Sequence, residues 1–330
     1  MRKGVLALAF ALCMCVSCGN TKTQAAESKA ECVMEVNSRR VLYESHGDLR
    51  LPMASTTKIV TAITVLENCD DLHKEYSIPL EAVGVEGSSV YLQQGDIYTP
   101  EELLYGLMLR SGNDCATALA LHCSGNMANF TAKMNETAQK AGALHSHFVN
   151  PHGLPAKEHY TTARDLTAIA CYAMHNTLFK EIVSTKFYEP RRWQNKNKML
   201  FHYEGGIGIK TGYTKEAGRC LVTAAERGGM TLVCSVLSSP QMYERSAALL
   251  DDAFNAYENV KLLSIGQEFS VEGKRAKTSQ EFTFPLIKEE KELIEYKILP
   301  LNRLDNEEII GQLEILLAKR LLFSTNLYKL

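Results

Sequence analysis

Apolar and polar positions along the chain change their period several times, and each change predicts a different element. A short basic head, Met1-Arg2-Lys3, precedes an apolar run from Val5 to Val16, and small or polar residues follow from Ser17 through Ala26. That three-part layout predicts a secretory signal over residues 1–26, because the run is short for a membrane-spanning helix. Beyond a polar linker, Cys32–Val36 and Val41–Tyr43 flank Asn37-Ser38 and read as two strands joined by a tight turn. Between Ser55 and Asn68, Ile59, Val60, Ala62, Ile63, Val65 and Leu66 cover nearly every side of a helix, the pattern of a buried central helix. Thr99-Pro100-Glu101-Glu102 opens another: Thr99 caps, Pro100 suits the first helical position, and Glu102 completes a capping box. Helical spacing continues through Cys115–His122, Met127–Ala141 and Thr162–His175.

From Gly205 the period shortens. Ile207–Gly212 reads as a strand of small residues, and Arg219–Ala225 with Met230–Leu237 flank the hairpin signal Arg227-Gly228-Gly229. A helix follows over about Tyr243–Tyr257. Beyond Val260, Glu281–Phe284, Ile294–Ile298 and Gln312–Leu317 alternate as strands do, with Leu321–Tyr328 placed to pair back. The leucine spacing of Leu313–Leu330 also admits a helix. The order predicts an α/β (α+β) fold: an antiparallel sheet flanked by helices, followed by a small β domain. The expected division is signal 1–26, a helix-and-sheet domain 27–258, and a β-rich domain 259–330.

Composition narrows the chemistry without naming it. Hydrophobic residues are 45% and charged residues 22% of the chain, enough for a substantial core, and the formal net charge is −2. No basic tract points to nucleic acid. Of the ten cysteines, the seven outside the signal region form neither a Cys-x-x-Cys nor a Cys/His pattern, so no metal is implied. The other three, Cys13, Cys15 and Cys18, fall in the signal region; buried thiols are the default for the seven, with one disulfide left open. Val16-Ser17-Cys18-Gly19 resembles the end of a lipoprotein signal, with Cys15 where an aliphatic residue is usual. Lipidation at Cys18 and ordinary cleavage near Ala25-Ala26 both remain open.

Ser55-Thr56-Thr57-Lys58 puts a hydroxyl and an amine one helical turn apart on the same face. At a helix start, backbone amides stabilise an oxyanion, and an amine that is desolvated and near a second cation loses its proton and activates the serine. Alone the motif is weak, since about one Ser-x-x-Lys is expected by composition in a chain this long; a capping serine and an exposed lysine would look the same. Ser111-Gly112-Asn113 and Lys210-Thr211-Gly212 give it company, the glycine falling where another backbone must come close. Ser124-Gly125-Asn126 repeats the middle motif and reads as an ordinary loop; Ser111 is preferred because the preceding Leu104–Arg110 helix would fix it rigidly. Ser-x-x-Lys, Ser-x-Asn and Lys-Thr-Gly in this order are the signature of penicillin-binding proteins and class A β-lactamases.

With Gly87-Ser88-Ser89, Asp114 after Ser111-Gly112-Asn113, and Asn150-Pro151-His152-Gly153-Leu154, the chain resembles the D-alanyl-D-alanine carboxypeptidases of the low-molecular-mass penicillin-binding class, peptidase family S11, from about Glu31 to its C-terminus. The resemblance implies Ser55 as nucleophile, Lys58 as general base, and Ser111 and Asn113 as proton relay and amide holder. It implies Lys210 and Thr211 as the carboxylate site and the amides of Ser55 and Tyr213, beside Gly212, as the oxyanion hole. It further implies an extracytoplasmic enzyme of the bacterial cell envelope, secreted or tethered through its N-terminus, that acts on peptidoglycan stem peptides. β-Lactams would be covalent inhibitors, and no cofactor would be needed. His152 reads as a structural loop residue, Arg245 as a solvated helix arginine, and Trp193 as part of an exposed turn over Arg191–Lys198. A β-lactamase would need a Glu-x-x-Leu-Asn segment, absent between Leu154 and Lys210. A DD-endopeptidase shares the same residues, and a catalytically silent penicillin-binding receptor would be expected to have lost some of them.

Overall fold

The computed structural model of the chain describes residues 28–301 and 308–330. The expected signal over 1–26, Cys18 included, lies outside the described residues. In chain order, β1 (Ala30–Glu35) and β2 (Val41–Ser45) form a hairpin. A 3-10 turn, Ala54–Thr57, feeds α1 (Lys58–Asn68). A two-residue ladder of β3 (Tyr76–Ser77) and β4 (Ile97–Tyr98) precedes α2 (Pro100–Tyr105), whose start carries the expected Thr99–Glu102 capping box. The helix then widens into a π-turn over Gly106–Arg110. Next come α3 (Asn113–Ser124), α4 (Met127–Lys140), α5 (Ala163–Met174) and α6 (Thr177–Ser184). A second short ladder, β5 (Phe187–Tyr188) with β6 (Trp193–Gln194), leads to α7 (Met199–His202). Three long strands follow, β7 (Gly206–Thr214), β8 (Gly218–Arg227) and β9 (Met230–Leu237), then α8 (Met242–Ala256).

The first two strands and the last three meet in one antiparallel sheet of order β2-β1-β9-β8-β7, with Val33 opposite Cys234 and Thr211 opposite Leu221. This sheet is covered on both faces. Along β1, Cys32 and Met34 enter the large core shared with α1, α3 and α5, while Val33 enters a second core against α8. Strand β8 divides the same way, with Cys220, Val222 and Ala224 on one side and Leu221 and Ala225 on the other. The period of two sends alternate side chains to opposite faces, and with apolar layers on both faces such strands read as continuous apolar runs.

The remaining strands are β10 (Glu258–Leu263), β11 (Glu268–Val271), β12 (Lys274–Thr278), β13 (Phe282–Leu286), β14 (Ile294–Pro300), β15 (Ile309–Leu317) and β16 (Arg320–Lys329). β10 pairs with β13, and the others form a sheet of order β11-β12-β16-β15-β14. They enclose a separate apolar core that includes Leu263, Phe284, Leu313, Ile315 and Leu327. The helical alternative for Leu313–Leu330 is thereby excluded: Leu313 and Ile315 point inward at strand spacing. Arg40 of the β-hairpin links the two parts, donating to the Pro285 carbonyl at 2.7 Å and pairing with Glu290 at 2.5 Å. A cleft of about 790 Å³ lies at this seam. Its Arg40 and Arg164 are already neutralised by Glu290 and Glu44, as a structural joint requires.

Two readings of the sequence need correction. Arg245 is only partly solvated: it forks onto Glu31 of β1 at 2.7 and 2.6 Å and so fastens α8 to the sheet. Trp193 is not in an exposed turn. Its half-buried ring lies beside Tyr188 and against Gly106, where a Cβ would come within 3.1 Å of the indole. Glycine at 106 is what lets the ladder pack on the π-turn. Burial pushes the Glu31 carboxyl up, but hydrogen bonds from Arg245, Ser28 and Tyr43 outweigh it and leave the group below its ordinary range.

Arg245→Met is therefore expected to lower unfolding stability by about 2 kcal/mol, discounted for the partial exposure of the guanidinium. Because the folded-state pKa of Glu31 is depressed, the pair's contribution is present above the ordinary carboxylate pKa and disappears as pH falls through the folded value. Urea titrations of both proteins at neutral and acid pH should show the gap narrowing in acid.

Candidate active site

Ser55 sits in the 3-10 turn rather than in α1 itself, and Ala54 before it takes φ 50°, a region costly for a residue with a Cβ. The turn is tied by Thr56 Oγ1 donating to the Met53 carbonyl at 2.6 Å. Lys58 then opens α1 with its whole side chain buried. Its Nζ lies 3.0 Å from Ser55 Oγ, 2.7 Å from Asn113 Oδ1 and 2.6 Å from the His152 carbonyl oxygen. The Asn113 amide is oriented by its other end, where Nδ2 donates to the Glu86 carbonyl at 2.5 Å. Two acceptors therefore face an amine that has two N–H bonds when neutral. Its lone pair is left for the Ser55 hydroxyl to donate into.

The electrostatics favour that neutral form. Burial pushes the Lys58 pKa well below the ordinary lysine value, and the charge of Lys210 adds to the effect. Cys115 and Asp114 pull the other way without reversing it. Lys210, buried on β7, is itself lowered to about 7 by burial and by Lys196. Its Nζ donates to the Thr211 carbonyl at 3.1 Å.

Backbone approach sets the remaining geometry. A Cβ on Gly212 would stand 3.0 Å from the Met53 carbonyl oxygen and 3.1 Å from the amide nitrogens of Ser55 and Thr56. Glycine lets β7 run beside the serine turn and brings the following residue, Tyr213, to the same place; the Tyr213 side chain points to solvent, 65% exposed. A Cβ on Gly153 would fall 2.0 Å from the Ala54 carbonyl oxygen, with φ +88°. Asn150-Pro151-His152-Gly153-Leu154 is thus the strap that presses against the serine turn and presents the His152 carbonyl to Lys58. Ser111 ends the π-turn in a left-handed conformation, φ 64°, and is buried. Its hydroxyl makes no hydrogen bond among the described residues. The repeat Ser124-Gly125-Asn126 lies at the opposite end of α3, about 16 Å from Asn113 along the helix.

Two supports carried no assigned role in the sequence. The Asp114 carboxylate accepts from Ser89 Oγ at 2.5 Å and from the amides of Val90 and Leu92, so it clamps the loop whose Glu86 carbonyl orients Asn113. His159 accepts from the Val149 amide at Nδ1 and donates through Nε2 to Thr57 Oγ1 at 2.8 Å. Burial holds its pKa at about 4, so the ring stays neutral. The only sequence signal for the first was Asp114 following Ser-Gly-Asn; His159 had none.

A buried amine shared by a serine, an asparagine and a strap carbonyl, beside a Lys-Thr-Gly strand, is the arrangement that serine acyl transfer requires. A model of the D-alanyl-D-alanine carboxypeptidase family, peptidase S11, matches residues 18–241. The chain belongs to the serine-type D-alanyl-D-alanine carboxypeptidases. It is 33% identical over 266 residues to D-alanyl-D-alanine carboxypeptidase DacF of Bacillus subtilis, covering 75% of this chain and 67% of that one. To the D-alanyl-D-alanine carboxypeptidase of Streptomyces sp. strain K15 it is 38% identical, covering 62% and 79%. Penicillin binding protein 5 from Haemophilus influenzae superposes with a TM-score of 0.76 at 25% identity, over 94% of this chain and 98% of that one. A mutant of Streptomyces K15 DD-transpeptidase gives 0.64 at 35% identity, over 70% and 97%. The family's shared region ends near Gln241, whereas the penicillin-binding protein match takes in the C-terminal β strands as well.

In this carboxypeptidase the close approach at Gly153 can be separated from its left-handed backbone. Gly153→Ala meets a carbonyl and should cost roughly 2–4 kcal/mol. Gly84→Ala has φ +72° but open space and should cost only about 1 kcal/mol. Urea midpoints of the two variants provide the comparison.

Proposed function

We propose that Ser55 is the nucleophile by which this carboxypeptidase removes the terminal D-alanine of peptidoglycan stem peptides, with neutral Lys58 as its base. The observation that carries the reading is the saturation of the Lys58 amine by Asn113 and His152, which aims its lone pair at Ser55. The Ser55 proton passes to Lys58 as Oγ attacks the carbonyl of the penultimate D-alanine. The developing oxyanion lies between the amides of Ser55 and Tyr213, the pair that the Gly212 approach supports. Lys58, with Ser111 in the relay, returns the proton to the departing amine of D-alanine. Water then attacks the ester, Lys58 again taking the proton. Asn113 holds the substrate amide, and Lys210 with Thr211 binds the terminal carboxylate. β-Lactams acylate the same serine.

We further assign residues 27–258 to a catalytic domain and 259–330 to a small β domain, the separate apolar cores supporting the division. The signal pattern of residues 1–26 supports export to the cell envelope, secreted or tethered at the N-terminus. Among the described residues no helix is long and apolar enough to cross a membrane.

In separate incubations with fluorescent penicillin and with a Lys-D-Ala-D-Ala peptide, the wild type is expected to take up label and to release D-alanine. Ser55→Ala should do neither. Label without D-alanine release would transfer the reading to an endopeptidase or a silent receptor; rapid turnover of the antibiotic would indicate a β-lactamase. An unlabelled wild type would refute Ser55 as the acylated residue.

Carboxylate binding needs Lys210 charged, and that charge is lost above about pH 7. Peptide kcat/KM, which reports the free enzyme, is expected to fall about tenfold per pH unit well above that value. Lys210→Arg, which stays charged, should remove this descending limb. A pH–rate profile of both proteins measures it.

A further inference from the structure

Five of the seven described cysteines, Cys32, Cys115, Cys171, Cys220 and Cys234, are buried; Cys69 and Cys123 alone are half-exposed. Those two belong together. Cys69 caps the C-terminus of α1, and Cys123 lies in the last turn of α3. The two helices pack on one another, and Cys69 lies near enough to Cys123 to act on its thiol; Cys69 Sγ itself donates to the Asp71 carbonyl at 3.9 Å. Both side chains also lean on the same apolar core. At the other end of the same helices, Lys58 opens α1, Asn113 opens α3, and their side chains are bonded at 2.7 Å. From Lys58 to Cys69 is eleven residues and from Asn113 to Cys123 is ten, so the helices run parallel, each about 16 Å long between the two junctions. One junction holds the base of the active site. The other holds two thiols.

We propose that Cys69 and Cys123 are a disulfide site, closed by exchange with a small-molecule disulfide or a thiol–disulfide oxidoreductase, which staples α1 to α3 behind the active site. The export argued above bears only on where the oxidant is met; the pairing itself rests on the helix geometry. In the exchange, the Cys69 thiolate attacks one sulfur of the external disulfide and expels the other as a thiolate. Cys123 then gives up its proton and attacks Cys69 Sγ, expelling the second external thiol. The protein loses two electrons and two protons, and the external disulfide gains both as two thiols. Burial first, then the neighbouring Cys69 sulfur, pushes the Cys123 thiol well above its ordinary range. It therefore suits the second, intramolecular step rather than the first. Lys133 opposes that upward shift, its Nζ donating to the Cys123 carbonyl at 3.4 Å. The closed loop would span more than fifty residues, a length at which restricting the unfolded chain has a large effect.

The test uses the purified chain, reduced and then treated with cystine. Peptide mapping after alkylation should recover a Cys69–Cys123 linked peptide. Tm should rise by roughly 5–10 °C on oxidation and return with dithiothreitol. Cys123→Ser should show no such shift, while its penicillin labelling matches the reduced wild type. The site is refuted if both thiols remain alkylatable after treatment, or if each ends separately bound to cysteine. A linked peptide with no rise in Tm would overturn the staple. Penicillin labelling followed alongside reports on Ser55 independently of either result.

Discussion

The site hangs on one buried amine. Lys58 is placed where a charged lysine is expensive, within hydrogen-bond reach of two fixed acceptors and one hydroxyl. Burial and the neighbouring Lys210 charge strip its proton, and the acceptors Asn113 Oδ1 and His152 O then determine where its lone pair points. A protonated amine would offer three donors and no acceptor, and the serine hydroxyl would find no base. The low-dielectric surroundings that penalise the charge are the same ones that would let the lysine serve as the proposed base.

Everything near that amine serves to hold its partners still. Asn113 is oriented by Glu86, whose loop is clamped by Asp114; the His152 carbonyl is delivered by a strap that Gly153 allows against Ala54. Thr57 is fixed by a neutral His159, itself anchored on Val149. These are short polar links in a dry interior, where each unsatisfied group would be costly. The result is a serine turn positioned by elements from four separate stretches of chain.

The architecture follows from the same need. A sheet covered on both faces gives β7 a rigid edge position beside the serine turn, and α1 is surrounded by α3, α4 and α5 so that its first residue can be buried. The C-terminal strands carry their own core, and Arg40 ties them to the β-hairpin.

The periodicity of the chain determined the strands of the main sheet, the long helices and the β character of the C-terminal part, because burial on one or two faces imposes a spacing that survives in the sequence. Motif spacing likewise marked Ser55, Lys58, Ser111, Asn113, Lys210 and Gly212 as candidates, since a helical turn and a small-residue strand are local features. What tertiary structure alone decided were the partners: which carbonyls meet Lys58, that Asp114 clamps a loop twenty residues upstream, that Arg245 turns inward onto Glu31, and that Trp193 packs on Gly106. Between Ser111 and Ser124 the motif was identical, and only the three-dimensional path puts one asparagine beside the amine and the other at the far end of α3. Such facts depend on contacts between segments tens to hundreds of residues apart. A local pattern carries no trace of them, because the energy that selects them arises only when the chain has closed.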